Sequence, residues 1–551
     1  MIGVVAARGD LETAQEFFEL FKTPWEQAVP GRKYRVILTS DVTCSQYDAD
    51  IVLVYSSIVR DNDTHLVAKR VEGPIEIQWC GSTFPVYGHV VLFAGTSTVD
   101  ATCSGHPLEC ESRRGGRTIR RVGYDLFEEV GRLLTGGQPA ERALNPTLEL
   151  HIALLRSILV SAGVSFVEVP PRPHGYDFIC CLTHDLDFFG IRRHKFDRTM
   201  LGFLYRSTVG TLADLLRGRR SLDEAVGNWV AFLQLPLILV GLLPDPWRPF
   251  DDYSNCEAPE RSTFFVVPFK GRPGVGPGGA IERRRAVQYQ VSEIKDEVNR
   301  AVHRGSEIAL HGIDAWRDSS SGDRELSALK AVTGQTAAGV RMHWLYFDRE
   351  SPAQLEAVGF TYDSTWGYND AVGYRAGTSQ VFRLSGTKDL LELPLSIMDS
   401  ALLFPNRMNL TSSQASQLCK TIVENAMRFG GTLVVNWHDR SLAPERLWNR
   451  CYRSLLSDIQ RGGRVWFATA GQTVDWYRWR RSIRFTREEH SPTVSVAVSR
   501  RDPSLPAAVL KTYGPSDDAG CSVTEEPFDE GLPVTSTPYS LASLQHGMRA
   551  S

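Results

Sequence analysis

The sequence has no excess of charge of either sign: 61 Lys and Arg residues stand against 64 Asp and Glu residues, a formal net charge of -3 over 551 residues. Without a uniform positive field to neutralise phosphates, nucleic acid is not an expected partner, and the short basic run 217–220 reads as solvated surface. The ten cysteines contain no CxxC pair and no regular spacing, which excludes a disulfide framework and a cysteine-rich zinc module. Cys180 and Cys181, inside the apolar run FICCLT, are expected to be buried thiols, and a reducing compartment follows. No GxGxxG or GxxxxGK[ST] loop occurs in the first 165 residues, so a nucleotide site has no support there. The amino terminus lacks the basic-then-apolar order of a secretory signal, because Asp10 and Glu12 precede any long apolar core; cytoplasmic residence, with membrane association, is the expectation. Only residues 225–243 approach the length of a membrane span, about 20 residues. Asn228, Gln234 and Pro236 interrupt that run, which is therefore expected to be a buried or membrane-surface helix pair with peripheral membrane contact through 225–243.

What is present divides the chain. Up to about residue 165, runs such as YRVILT, ADIVLVYSS and YGHVVLFAG alternate with helical stretches, predicting an α/β domain of unknown role over 1–168. The breaker VPPRP closes it. Over 169–484, apolar runs ending in polar residues (FICCLTHDLD, STFFVVPF, SEIALHGID, GVRMHWLYFD, TLVVNWHD) alternate with helices, with an insert at 190–258. Short runs buried on both faces predict a parallel sheet or barrel, whose chemistry gathers at the carboxyl ends of its strands. Residues 485–551 lack periodicity and are expected to be disordered. DWYRWRR at 475–481 is expected to be a closing helix with exposed arginines.

Asp185 and Asp187 lie two apart at the end of an apolar strand, so both point to one side of the pleat, and one can bind a metal while the other accepts a proton. His311 ends a second strand, and imidazole with carboxylate suits a divalent metal such as zinc. His343 and His438 end further runs in the same way. Trp366 and Tyr374, near YDSTWGY, are candidates for stacking on sugar rings; His184 and His194 flank the first motif without being expected as ligands.

Together these strings resemble the NodB-type polysaccharide deacetylases, carbohydrate esterase family 4, over about 300 residues. THDLD at 183–187 looks like a DxD variant of the family's first motif, STFF at 262–265 is similar to its ATFF strand, and EIALHG at 307–312 sits where it has a metal histidine. RMHW at 341–344, YDST at 362–365, ELP at 392–394 and VVNWHD at 434–439 resemble its later motifs. The resemblance implies a distorted (β/α) barrel around one divalent metal, zinc by donor type, with Asp185 as base, Arg341 holding that base, His438 protonating the leaving group and the Trp344 backbone N–H facing the oxyanion. Asp439 and Asp363 are candidate orienters.

Position 315, where the family's HxxxH would place its second histidine, is Ala315. The metal set is then Asp187, His311 and His343, the last being two residues after Arg341 and on the same strand face, with Asp314 as the alternate. The activity implied is metal-dependent hydrolysis of an N- or O-acetyl group on a polysaccharide or lipid-linked glycan. The rivals are a weakened saccharide-binding or polysaccharide-assembly protein on the same barrel, and a metal hydrolase of another C–N or glycosidic bond.

Overall fold

A computed structural model describes the chain except residues 41–46, 60–65, 96–97, 219, 337, 444, 447, 488–493, 499–501, 516–520 and 529–551. It divides into two units: residues 1–136, 147–174 and 476–551 form the first, and residues 137–146 and 175–475 the second. The first boundary thus falls six residues beyond the one expected at 168, and the helix Ala470–Ser482 runs across the second.

The first unit is an α/β unit, as its alternating runs imply. Its six-stranded sheet runs in the order Glu109–Arg114, Arg117–Val122, Asp48–Tyr55, Lys33–Thr39, Ile2–Val5, Trp25–Gln27, with only the first pair antiparallel. The expectation of a structureless tail is corrected for part of 485–551. Ala508–Pro515 and Cys521–Phe528 form a hairpin whose first strand pairs antiparallel with Phe166–Glu168. Val509, Leu510, Tyr513 and Phe528 are buried, and Tyr513 stacks on Phe166 at 4.6 Å. Residues 529–551, also in the expected tail, lie outside the described residues. The arginines of DWYRWRR are not exposed either: Arg480 is buried and donates to the carbonyls of Leu20 and Val169, and Arg481 pairs with Glu16 at 2.7 Å.

The second unit is built on a ten-stranded sheet around the strand Phe178–Leu186, all nine of whose residues are buried. That strand pairs in parallel with Ser262–Val266 on one side and Thr432–Asn436 on the other, and its first half also with Val465–Phe467. Beyond Ser262–Val266 follow Glu307–Gly312, Val340–Met342 and Tyr362–Asp363, all parallel. A strand buried on both faces needs no polar alternation, which is why FICCL in the central strand and FFV and IAL in its neighbours are unbroken apolar stretches. The expected barrel is an open, curled sheet: its path ends at Phe382–Arg383 on one side and Ile397–Met398 on the other. Each of these end strands is two residues long, too short a ladder to close the circle. The eight cysteines placed by the structure, including buried Cys180 and Cys181, are free thiols. Among the described residues no helix is long and apolar enough to cross a membrane.

Candidate metal centre

The carboxyl ends of four parallel strands meet at one place. Register sets His311 opposite Arg341 and Thr183 opposite Asn436, so the alternation of side chains turns Asp185 and Asp187, His311, Arg341 and His343, and Asn436 and His438 toward a common space.

Asp187, His311 and His343 each offer one ligand atom, and these atoms lie within 4.8 Å of one another. Nε2 of His311 and Nε2 of His343 both stand 3.4 Å from Oδ1 of Asp187. His311 Nδ1 faces the Arg341 carbonyl oxygen at 3.0 Å, and because a carbonyl only accepts, Nδ1 carries a hydrogen and Nε2 is the nitrogen turned toward Asp187. Burial, with His311 and Arg285 adding to it and Asp187 opposing, pushes the His343 imidazole down to about 3, so it is a neutral ligand at ordinary pH. Burial acts against ionisation of Asp187, but the imidazoles of His343, His311 and His438 hold its carboxyl far below the usual range. Its Oδ1 is a buried acceptor with no hydrogen-bond donor. One carboxylate and two imidazoles around a buried orphan oxygen fit a divalent cation of the zinc type. The alternate, Asp314, is turned elsewhere: its Oδ1 accepts from the Val275 N–H at 2.8 Å. Ala315 is fully buried, so the strand end at Val340–Met342 supplies the imidazole that position 315 does not.

Beside this set lies a buried carboxylate and the guanidinium that holds it. Asp185 Oδ1 accepts from Arg341 Nη1 at 2.9 Å and Oδ2 from Asn436 Nδ2 at 2.8 Å. Burial, the largest single influence, opposes its ionisation, but Arg341, His311 and His438 together outweigh it, and the carboxyl is held below its ordinary range. Arg341 is itself fixed on every side: Nε donates to the Ser364 carbonyl, Nη1 to Thr183 Oγ1 and Nη2 to Ser364 Oγ, at 2.9–3.0 Å, with the guanidinium over the Phe265 ring at 4.2 Å.

His438 completes the cluster, its Nε2 3.9 Å from Asp187 Oδ2. Its orienter is neither Asp439 nor Asp363 but Asp399, which contacts Nδ1 at 2.5 Å and accepts from the His438 N–H at 2.8 Å. Burial pulls the imidazole down, yet Asp399 first, then Asp187 and Asp185, carry it up to about 10. Asp439 instead accepts from the N–H groups of Phe188 and Phe189, both at 2.7 Å, and ties down the segment after Asp187. Asp363 is buried with Glu392: burial pushes Asp363 up to about 6 against the lowering hydrogen bonds of Thr365 and Glu392, and burial with the charge of Asp363 beside it raises Glu392 well above the ordinary carboxyl range. Both Asp363 and Asp439 are buried.

Trp344 follows His343 in a turn with φ 66°, and Asn369 Nδ2 donates to its carbonyl at 2.9 Å. Trp366 and Tyr374 are packing residues here rather than stacking platforms. Trp366 is 5 % exposed with Arg375 over its ring, and Tyr374 is 3 % exposed with its hydroxyl on the Ile422 carbonyl. His184 is also internal, between the Trp437 carbonyl at 2.9 Å and Glu257 at 3.0 Å, and His194 caps locally onto Asp197. Sequence reasoning missed Asp399, Asn436 and Arg285. Buried Arg285 donates to the carbonyls of His343 and Ile313, at 2.8 and 2.7 Å, and so fixes the backbone that follows two of the site's strands. Asp399 had a signal: it follows the apolar run LSIM, the same strand-end position that exposed the others.

No family model matches the chain, and no curated protein matches its sequence. Among solved structures it is similar to a putative polysaccharide deacetylase from Mycobacterium smegmatis, at 18% identity and TM-score 0.35, over 58% of this chain and 99% of that one. It is also similar to a probable polysaccharide deacetylase from Pseudomonas aeruginosa PAO1, at 16% identity and TM-score 0.33, over 56% of this chain and 95% of that one. A third likeness is to Puue allantoinase, at 14% identity and TM-score 0.34, over 56% of this chain and 92% of that one.

Proposed function

We propose that the second unit is a metal-dependent hydrolase of the polysaccharide deacetylase type that removes an acetyl group from an N- or O-acetylated glycan. The observation that carries this reading is the convergence of Asp187, His311 and His343, with ligand atoms within 4.8 Å of one another, beside a buried Asp185–Arg341 pair and a His438–Asp399 pair. Asp187, His311 and His343 would hold a divalent cation, zinc by donor type, which when bound would supply a water of lowered pKa and polarise the acyl carbonyl.

The remaining steps belong to side chains of the chain. Asp185, kept ionised by Arg341, takes the proton of the attacking water as general base. His438, kept cationic by Asp399, gives a proton to the departing amine or alkoxide oxygen, and the Trp344 N–H is the protein's own donor to the developing oxyanion. Two groups whose environments push their pKa values apart, a depressed carboxyl and an elevated imidazole, divide the base and acid roles between them.

The test is release of acetate from acetylated chito-, xylo- or peptidoglycan-type oligosaccharides by zinc-loaded protein, before and after chelation. Chelator-sensitive acetate release supports the assignment. Stoichiometric metal without acetate release moves the assignment to another C–N or glycosidic bond, and protein that takes up no metal moves it to a saccharide-binding or assembly role.

A further inference from the structure

Thirteen of the twenty large hydrophobic side chains that stand exposed among the described residues fall between Phe196 and Leu242. Their concentration in one insert of the second unit is not the scattered exposure that any soluble surface shows. The insert is a helical hairpin. Its first arm runs through Arg198–Tyr205, a π-helical turn at Arg206–Gly210 and Thr211–Leu216; its second is Leu222–Leu239. The arms are joined by a buried hydrogen bond from Asn228 Nδ2 to Thr211 Oγ1 at 2.9 Å.

Each arm carries two apolar faces where a surface helix needs one. The inward face of the second arm, with Ala225, Asn228, Leu235 and Ile238, is buried, and Leu235 and Ile238 pack with Ile191, Phe203, Trp247 and Ala443. The opposite face carries Leu222, Val226, Val230, Leu233 and Leu237, spaced four, four, three and four residues apart, and all are exposed, Leu233 to 71 %. The first arm repeats that spacing with Leu201, Tyr205, Val209, Leu212 and Leu216, the last exposed to 80 %. From Ala225 to Leu243 the sequence holds no charged residue at all. A helical-period stripe left in water on both arms is a binding face.

Charge selects the occupant. Between Arg192 and Leu242 there are eight Lys and Arg residues against four acidic ones, Asp197, Asp214, Asp223 and Glu224, an excess of four positive charges in a chain whose net charge is -3. Lys195, Arg198 and Arg217 are exposed. At the base of the hairpin a cavity of about 520 Å³ is lined by Arg192, Arg193, Arg248, Arg300 and Arg304 against three carboxylates. A second copy of the hairpin would bring like charge onto like charge, whereas an anionic lipid surface pairs the basic flank and covers the apolar stripes together. With no helix of the described residues able to cross a bilayer, the arms lie in the interfacial plane. We propose that the hairpin 196–242 docks this protein in plane on an anionic bilayer surface.

Flotation of the full-length protein with phosphatidylcholine vesicles, with and without phosphatidylglycerol, tests this. The expected result is co-flotation with the anionic vesicles, about tenfold or more weaker with neutral ones, and loss of at least about tenfold in Leu212→Asp/Leu216→Asp and Leu233→Asp/Leu237→Asp. Arg198→Glu/Arg217→Glu should weaken binding to anionic vesicles only. These positions are exposed, so circular dichroism of each variant should match the parent, and a variant that does not is replaced by the Ser substitution at the same positions. The proposal is overturned if the parent floats with neither vesicle, floats equally with both, or floats unchanged after the Asp or Ser substitutions. It is also overturned if sedimentation velocity shows a dimer that the Asp variants dissociate while no vesicle is bound, which would assign the stripes to a second copy.

Discussion

At the scale of single residues, the proposed chemistry depends on two side chains held in opposite charge states. Asp185→Asn keeps the shape of the Arg341 and Asn436 contacts but removes the base, and kcat should fall by roughly 10²-fold or more. Zinc stoichiometry should stay unchanged, because the proposed ligands Asp187, His311 and His343 are untouched; acetate release at the parental rate would refute the base assignment. His438 is tested through its partner. Its folded value, about 10, lies above the ordinary 6.5, so the stability gained from its protonation is fully present below pH 6.5 and is lost as pH rises through about 10. Asp399→Asn removes the leading upward influence. The basic limb of the kcat profile should therefore move down by about one pH unit or more, and a limb that stays in place would separate His438 from the proton transfer. Most of this cluster was legible in the sequence because Asp185 with Asp187 and Arg341 with His343 end apolar runs at period-two spacing, His311 and His438 end two more, and strand ends are where parallel sheets place chemistry. Asp399 escaped because its strand, Ile397–Met398, is too short to show any period. Trp366 and Tyr374 misled because residue type reveals an aromatic face but not whether a guanidinium or a helix carbonyl already covers it.

At the scale of elements, local sequence identified strands that are buried on both sides and failed where a strand draws its stability from a distant partner. FICCLTHDL announces itself through an unbroken apolar run. The hairpin of Ala508–Pro515 and Cys521–Phe528 does not, since it contains Lys511, Glu525, Glu526 and two prolines, and its pairing strand Phe166–Glu168 lies some 340 residues earlier. Tertiary context decides such a strand more than propensity does. Its anchor is Tyr513, stacked on Phe166 and donating to Glu168, which Arg156 also holds with two hydrogen bonds of 2.6 and 2.7 Å. Tyr513→Ala should destabilise the first unit by about 3 kcal/mol, in the range for losing a large buried aromatic. Denaturant unfolding followed by hydrogen exchange at 33–39 and 508–515 would measure it; a loss under about 0.5 kcal/mol would mean the hairpin is not integral to that unit.

For the molecule as a whole, the division into two units means that metal binding should be felt unevenly. The proposed ligands Asp187, His311 and His343 all belong to the second unit, at the ends of Phe178–Leu186, Glu307–Gly312 and Val340–Met342. A ligand that binds only the folded form stabilises it by RT ln(1 + [L]/Kd), about 4 kcal/mol when free zinc is a thousandfold above its dissociation constant. Because a single melting temperature is ill-defined for a chain with two units, the readout is local: amide exchange in peptides covering 178–186, 307–312 and 340–342. Zinc should slow exchange there by a factor approaching 10³ under those conditions, while the first unit's sheet strands at 2–5, 33–39 and 48–55 exchange as before. His343→Ala should abolish most of that protection, whereas Asp314→Ala should leave it intact, since Asp314 is committed to the Val275 N–H. Protection lost on removing Asp314 and retained without His343 would restore the alternate ligand. It would also break the argument that an imidazole on the Val340–Met342 strand end replaces the one missing at Ala315.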